Sequence, residues 1–392
     1  MDRVVTYIIT LYVTIVVVSS LLFPPMNIIS IDNWLLPFVL LAITFFYFKN
    51  RTFRISLLLV VLIMGSCIIS NYINNGLAFD EVLWSVRWLK LFIIGWASYY
   101  LITKNRKYTE SLILMVFIGL TFINALQLIG VDAIVELYAS KAEISDLLTR
   151  SLIDGRLSGT FINPNNNGFV FALFGVYFLV SGERAKYILL SISGILIVLS
   201  QSRTAFLAFL VVLVLVGLWL LSKHSRRRAL YFLGGMCLFL MVAIQLNLKN
   251  LNSIFDGSAF RSNSITTRFE VIQKTIEVNE QNIWLGHGKI NNIPDFLGYS
   301  IDNEYAYLYL EYGAIGIFFF LLLIGFLGIL SMVQNKGHPV SIGLLLIMLV
   351  CGLTNLSFTN MEVGPVFALL FACALRLPGA ENTNAIQNQS KA

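Results

Sequence analysis

Apolar residues run through this chain in long stretches separated by short polar intervals, falling at about 4–22, 34–48, 55–70, 84–102, 111–129, 167–181, 187–200, 204–221, 230–247, 306–332, 340–356 and 363–376. A hydrocarbon layer about 30 Å thick takes roughly 20 apolar residues per crossing helix. The pattern therefore predicts an all-α polytopic membrane protein with about 12 transmembrane helices. Polar residues gather in two longer segments, about 130–166 and 248–305. In the first, DAIVELYASKAEISDLLTRSLIDG has the pattern of a short interfacial helix. In the second, Phe269, Ile272, Ile276 and Ile283 at near-helical spacing predict a helix lying on the membrane or capping the bundle. One transmembrane domain over 1–380 and a polar, disordered tail over 381–392 complete the organisation.

Composition agrees: 57% of residues are hydrophobic, 12% are charged and the mean hydropathy is +0.80, values no soluble domain keeps in solution. The net charge of +6 is mostly an orientation signal. Arg3, Lys49, Arg51, Arg54, Lys104, Arg106, Lys107, Arg184, Lys186, Lys223, Arg226, Arg227, Arg228, Lys336 and Arg376 fall on every second side of the membrane, which the positive-inside rule makes cytoplasmic. Both termini then face the cytoplasm, the two long polar segments face outward, and nucleic-acid binding is excluded as the use of these charges. Cys67, Cys237, Cys351 and Cys373 have neither metal nor redox spacing and read as buried thiols.

Arg203 interrupts the run ILIVLSQSRTAFLAFLV. Placing a guanidinium at the bilayer centre costs at least ~2.5–3.5 kcal/mol. The flanking runs instead make QSRT a tight turn at the outer boundary, where snorkelling to water is one reading of Arg203. Arg156, Arg261 and Arg268 join it beside outer polar turns, and four cations at headgroup level form a pocket suited to an anionic ligand. Arg87 and Lys90, one turn apart near the outer end of a span, either extend that pocket or pair with Asp80, Glu81 or Glu311.

The stretches RLSGTFINPNNNG (156–168), LSQSRT (199–204), SITTR (264–268), LGHG (285–288) and DNEYAYLYLEYGAIG (302–316) resemble, in order and spacing, the successive motifs of the O-antigen polymerase and O-antigen ligase superfamily. The resemblance covers about 150–320. It implies the helical frame of the lipid-dependent (type C) glycosyltransferases, working at the periplasmic face of a bacterial inner membrane on undecaprenyl-pyrophosphate-linked oligosaccharide. A chain-length regulator is a further partner implied by the family. The ligases carry a histidine before the motif's asparagine; here Asp302 precedes Asn303. That departure favours a repeat-unit polymerase of O-antigen, capsule or exopolysaccharide over a ligase that transfers glycan to lipid A core. A transporter or flippase of lipid-linked oligosaccharide is the reading from another class, and it wants midplane charges and paired helix breaks that the sequence does not show.

The residues support such a reaction on their own terms. Cleaving an anomeric carbon from pyrophosphate puts negative charge on the leaving group, which cations must meet. The outer segments hold no DxD, HExxH or histidine cluster, so the expectation is no metal and no cofactor, with Arg203, Arg156, Arg268 and Arg87 as pyrophosphate-binding forks. Asp302 and Glu304 are the candidate bases for the acceptor hydroxyl. For Asp302 the alternative is a cap on the helix that begins near Asn303. Asn163, Asn165, Asn303 and Tyr305 are candidate sugar contacts, although INPNNNG also reads as a plain helix-entry turn. Glu311 reads as an anchor for an arginine, and His287 as a loop residue.

Overall fold

The computed structural model describes residues 2–22, 31–75, 79–131, 156–161, 163–179, 185–223, 263–290, 293–298, 301–334 and 339–376. Among them the architecture is all-helical. In chain order the helices are α1 (Asp2–Leu22), α2 (Ile31–Tyr47), α3 (Arg51–Asn75), α4 (Phe79–Lys104), α5 (Arg106–Leu128), α6 (Pro164–Phe178), α7 (Lys186–Leu199), α8 (Arg203–Lys223), α9 (Asn263–Val278), α10 (Ile293–Leu297), α11 (Glu304–Gln334), α12 (Pro339–Gly352) and α13 (Gly364–Ala374).

Four of these segments, Arg3–Leu22, Arg51–Asn74, Arg106–Leu128 and Glu304–Gln334, are long and apolar enough to cross a membrane, and shorter apolar helices accompany them. The expected number of about 12 spans is not reached by these four, and the run at 230–247, the interfacial helix at 132–155, Arg261 and the tail lie outside the described residues. The exposed residues identify a lipid-facing side chain by chain. On α2, Trp34, Phe38, Leu41 and Phe45 repeat at intervals of four, three and four, and all are exposed, a stripe that water would not tolerate and hydrocarbon does.

The packing centres on α6. All its residues from Asn166 to Phe178 are buried, because the sequence NNGFVFALFGVYF is apolar around its whole circumference after the first turn. It packs against α7, α8, α12 and α13; α4 packs against α13 and α3; and α3 against α11. Phe117 of α5 inserts among Phe171, Phe174 and Phe178 with ring centroids 5.8, 5.4 and 4.9 Å away, so aromatic edge-to-face contacts fix that layer. Cys67, Cys351 and Cys373 are buried and unbridged, as the sequence suggests.

The two ends of the bundle differ. At one, Arg376 sits over the Tyr99 ring at 4.3 Å and Arg106 pairs with Glu110 at 2.8 Å, so basic helix ends collect there. At the other, the N-termini of α6 and α11 meet the polar interval 353–363 between α12 and α13, and the start of α8 lies against Gly168 of α6. The helix expected in the second polar segment exists as α9, but its orientation is specific. Val271, Thr275 and Asn279 are buried, whereas Phe269 and Ile276 are exposed. Just after α9, Asn279 donates its side-chain amide to the Tyr309 carbonyl of α11, which adds a hydrogen bond to the burial of Val271.

Candidate functional site

The polar end is built around a break in α11. At Gly313 (φ 64, ψ −166) the helix passes through a backbone region open essentially only to glycine. A break exposes carbonyls and amides that hydrocarbon cannot solvate, and each would cost several kcal/mol if left unmade. The LGHG segment satisfies them. His287 and Gly288 amides donate to the Leu310 and Glu311 carbonyls at 2.8 and 2.9 Å, while the Ala314 and Ile315 amides donate to the Ile283 and Trp284 carbonyls at 2.8 and 3.2 Å. The last turns of α3 clamp this crossing: Asn74 donates to the Gly286 carbonyl at 2.8 Å, Ser70 to the Glu311 carbonyl at 2.9 Å, and Asn71 accepts from the Lys289 amide. His287 is part of this brace, its ring nitrogens facing the Val278 carbonyl and the Asn282 amide.

Below the break, Arg87 of α4 meets Glu311 at 3.3 Å, both almost fully buried. Tyr307 accepts from both Arg87 nitrogens at 3.3 Å, Tyr312 accepts a further bond, Trp84 donates to Glu311 at 3.2 Å, and the Trp84 ring lies 4.1 Å from the guanidinium carbon. The pairing alternative for Arg87 is thus the arrangement found. Lys90 turns instead to α2, where it donates to Asn33 at 3.2 Å.

The first turn of α11 is spent in a similar way. Glu304 is fully buried and its carboxylate accepts from the Ser357 amide at 2.6 Å, Phe358 at 3.1 Å and Thr359 at 3.2 Å. Consecutive amides converging on one carboxylate replace the water it has lost. Asn303, not Asp302, caps the helix: its side-chain oxygen accepts from the Ala306 amide at 2.9 Å, and its amide donates to the Leu353 carbonyl at 2.9 Å. Tyr305 donates to the Leu349 carbonyl at 2.8 Å.

The entry turn of α6 is joined to the same interval. Asn163 caps α6, accepting from the Asn165 amide at 2.9 Å. Arg156 donates to Asn165 at 3.0 Å and to the Ser200 carbonyl at 3.3 Å, which ties the first motif to the QSRT turn. Gly168 lets the two touch, since a Cβ there would fall 2.6 Å from the Ser200 hydroxyl. Asn166 accepts from Asn355 and donates to Glu362 at 3.3 Å. Behind the turn, Asn167 pairs with Asn124 at 2.7 Å and the Ser158 and Gly159 amides donate to Gln127 at 3.0 and 2.8 Å.

Three candidate groups stay uncommitted among these contacts. Arg203 is exposed at the start of α8, Arg268 is half-buried on α9, and neither guanidinium makes a hydrogen bond among the described residues. Asp302 is exposed, and the protein mass around it raises its pKa by desolvation while the Arg268 charge opposes the rise. Among the described residues no cluster of His, Cys, Asp and Glu is placed to hold a metal ion. Residues 188–321 match the family model described as O-antigen ligase. That match supports membership of the O-antigen polymerase and ligase superfamily, whose members are glycosyltransferase-like enzymes. The matched segment includes Arg203, Arg268, the LGHG brace, Asp302 and the Gly313 break, and leaves Arg87, Arg156, the INPNNNG turn and the 353–363 interval outside it. No curated protein matches the chain.

Two residues at this end escape the motif reading, Asn355 and Glu362. The signal available was positional: TNLSFTNMEVGP is the polar interval between two apolar runs on the predicted outer side, and Glu362 is its single charge. Between α3, α4, α11 and α13 lies an apolar groove of about 140 Å³, lined by Trp88, Phe92, Trp96, Leu327 and Phe367. Phe358, whose amide donates to Glu304, is one of the residues that line it.

Proposed function

We propose that the protein is a polysaccharide repeat-unit polymerase, transferring a glycan from undecaprenyl pyrophosphate to the hydroxyl of another lipid-linked repeat unit at the periplasmic face of a bacterial inner membrane. The observation that carries this reading is that Arg203 and Arg268 make no hydrogen bond among the described residues, while the Arg268 charge acts on Asp302 and all three fall in the matched segment. In the proposed step the acceptor oxygen bonds to the anomeric carbon, and the bond from that carbon to the pyrophosphate oxygen breaks with its electron pair. The hydroxyl proton passes to Asp302. Arg203 and Arg268, with Arg156 beside the QSRT turn, meet the charge that develops on the leaving group.

Other candidates take supporting roles in this scheme. Arg87 and Glu304 already hold buried partners, so they fix the floor of the site, and Asn163, Asn303 and Tyr305 fix its helix ends. Asn165 orients Arg156. The apolar groove that includes Phe358 has the chemistry for a polyprenyl chain.

Purified protein supplied with lipid-linked repeat units tests the reading. Ladders of longer lipid-linked glycan, formed in the presence of a chelator, are expected. Transfer only to lipid A core would make the protein a ligase, strict dependence on a divalent ion would replace the arginines as electrophiles, and no transfer to either acceptor would favour a transporter.

A further inference from the structure

Glu362 is the one acid of the 353–363 interval, and the proposed mechanism does not use it. It lies outside the helices, just before α13, half-buried. Its Oε2 accepts from Asn166, the residue after Asn165, which itself accepts from Arg156. Neighbouring residues on one helical turn thus hold a candidate pyrophosphate-binding cation on one side and a carboxyl on the other, with Cα atoms about 3.8 Å apart. Oε1 makes no hydrogen bond among the described residues. Asn355 donates to the Asn166 side-chain oxygen, so the amide that holds one oxygen of the carboxyl is itself fixed.

An ionised carboxylate beside a pyrophosphate would repel it, and a protonated one would donate to it. We propose that Glu362 is the proton donor to the leaving pyrophosphate, the acid that complements Asp302 as base; this rests on the glycosyl-transfer reading above. As the anomeric carbon–oxygen bond breaks, the electron pair goes to the pyrophosphate oxygen and the Glu362 proton follows it. The proton taken by Asp302 from the acceptor restores the total, so no co-reactant is needed.

The electrostatic setting fits. Burial pushes the Glu362 carboxyl up to about 7, opposed by the Asn166 bond. The charged groups nearest through contacts are Arg156, by way of Asn165, and Glu304, by way of the Ser357 to Thr359 amides. Among the described residues α6 and α13 bring no Asp, Glu, Lys, Arg or His, only Tyr177 and Cys373 as titratable groups, and on α4, against which α13 packs, Arg87 and Lys90 are engaged by Glu311 and Asn33.

The test uses the full chain in lipid nanodiscs with native lipid-linked repeat units. Ladder formation by the wild type should fall as pH rises through about 7, where Glu362 loses its proton. Glu362→Gln should remove that falling limb and slow turnover by about 10²-fold, while Glu362→Asp should keep a limb at a different pH. A uniform loss with the limb unmoved would reduce Glu362 to a structural residue and overturn the assignment. A wild type that transfers no glycan at all would instead sink the glycosyl-transfer reading. Independently of turnover, difference infrared spectroscopy should show a protonated carboxyl that titrates near 7 and is missing from Glu362→Gln. Adding undecaprenyl pyrophosphate should move its titration to higher pH, because an adjacent anion favours the protonated form. A titration that this lipid leaves in place overturns the proposal.

Discussion

Gly286 and Gly313 cross backbone to backbone: a Cβ on Gly286 would lie 2.6 Å from the Gly313 nitrogen, and one on Gly313 would lie 2.5 Å from the Trp284 carbonyl carbon. Both residues also have positive φ, 68 and 64. The pair is what allows a transmembrane helix to break where its free amides and carbonyls can be met by another segment.

Replacing either glycine with alanine therefore costs on two counts. The backbone strain alone is about 1–3 kcal/mol, and the clash with neighbouring backbone adds to it because no side chain can move aside. Thermal unfolding in detergent should show Gly286→Ala and Gly313→Ala well below the wild type. A control at Gly325, where a Cβ would meet nothing within 4 Å, should stay close to it.

The Arg87–Glu311 pair gives a second test. Removing one partner leaves an uncompensated charge in the bundle, a loss of about 3–5 kcal/mol, whereas removing both leaves none. Arg87→Leu and Glu311→Gln should each unfold early, and the double variant should recover much of the difference. If Arg87 gripped the donor instead, Glu311→Gln would leave stability intact and the double variant would show no recovery.

Asp302 carries a pH prediction with a defined sign. As a base it works deprotonated, so activity should climb as pH rises through its pKa, which desolvation places above the ordinary carboxylate value. The Arg268 charge lowers that pKa. Arg268→Gln should therefore move the rising limb to higher pH, besides slowing turnover, in rate profiles of ladder formation. A limb that stays put or moves to lower pH would detach Asp302 from Arg268.

The transmembrane frame was legible in the sequence because lipid imposes length and polarity on every span, as the exposed Phe38, Leu41 and Phe45 stripe of α2 shows. The break at Gly313 was hidden: EYGAIGIFFF reads as continuous apolar helix, and what permits the break is a partner segment about thirty residues earlier in the chain, Ile283 to Gly288. The site was legible as a set of polar turns but not as a division of labour. Glu304 and Asn303 look available in DNEY, yet their partners come from Leu353 and Ser357 to Thr359, and no local spacing announces them. Asn163 was readable as a cap and is one. Asn355 and Glu362 were passed over because their interval has no motif, only a position between two spans. On α9 the apolar period located a helix, but the buried positions are Val271 and Thr275, with Asn279 just beyond it donating to the Tyr309 carbonyl of α11, while Phe269 and Ile276 face outward.

Arg203 carries the account's central claim, that a guanidinium fork at the turn between α7 and α8 grips the leaving pyrophosphate. The most direct measurement is the rate of glycan transfer by purified Arg203→Lys, beside Arg203→Ala and wild type, at matched amounts of folded protein. Lysine keeps the charge but not the two-pronged geometry. The account predicts that both variants lose about 10²–10³ in rate, as when one transition-state donor is removed, with thermal unfolding unchanged because the side chain is exposed. An Arg203→Lys protein as fast as the wild type would contradict it, and would leave Arg203 as a charge reaching for water at the membrane edge.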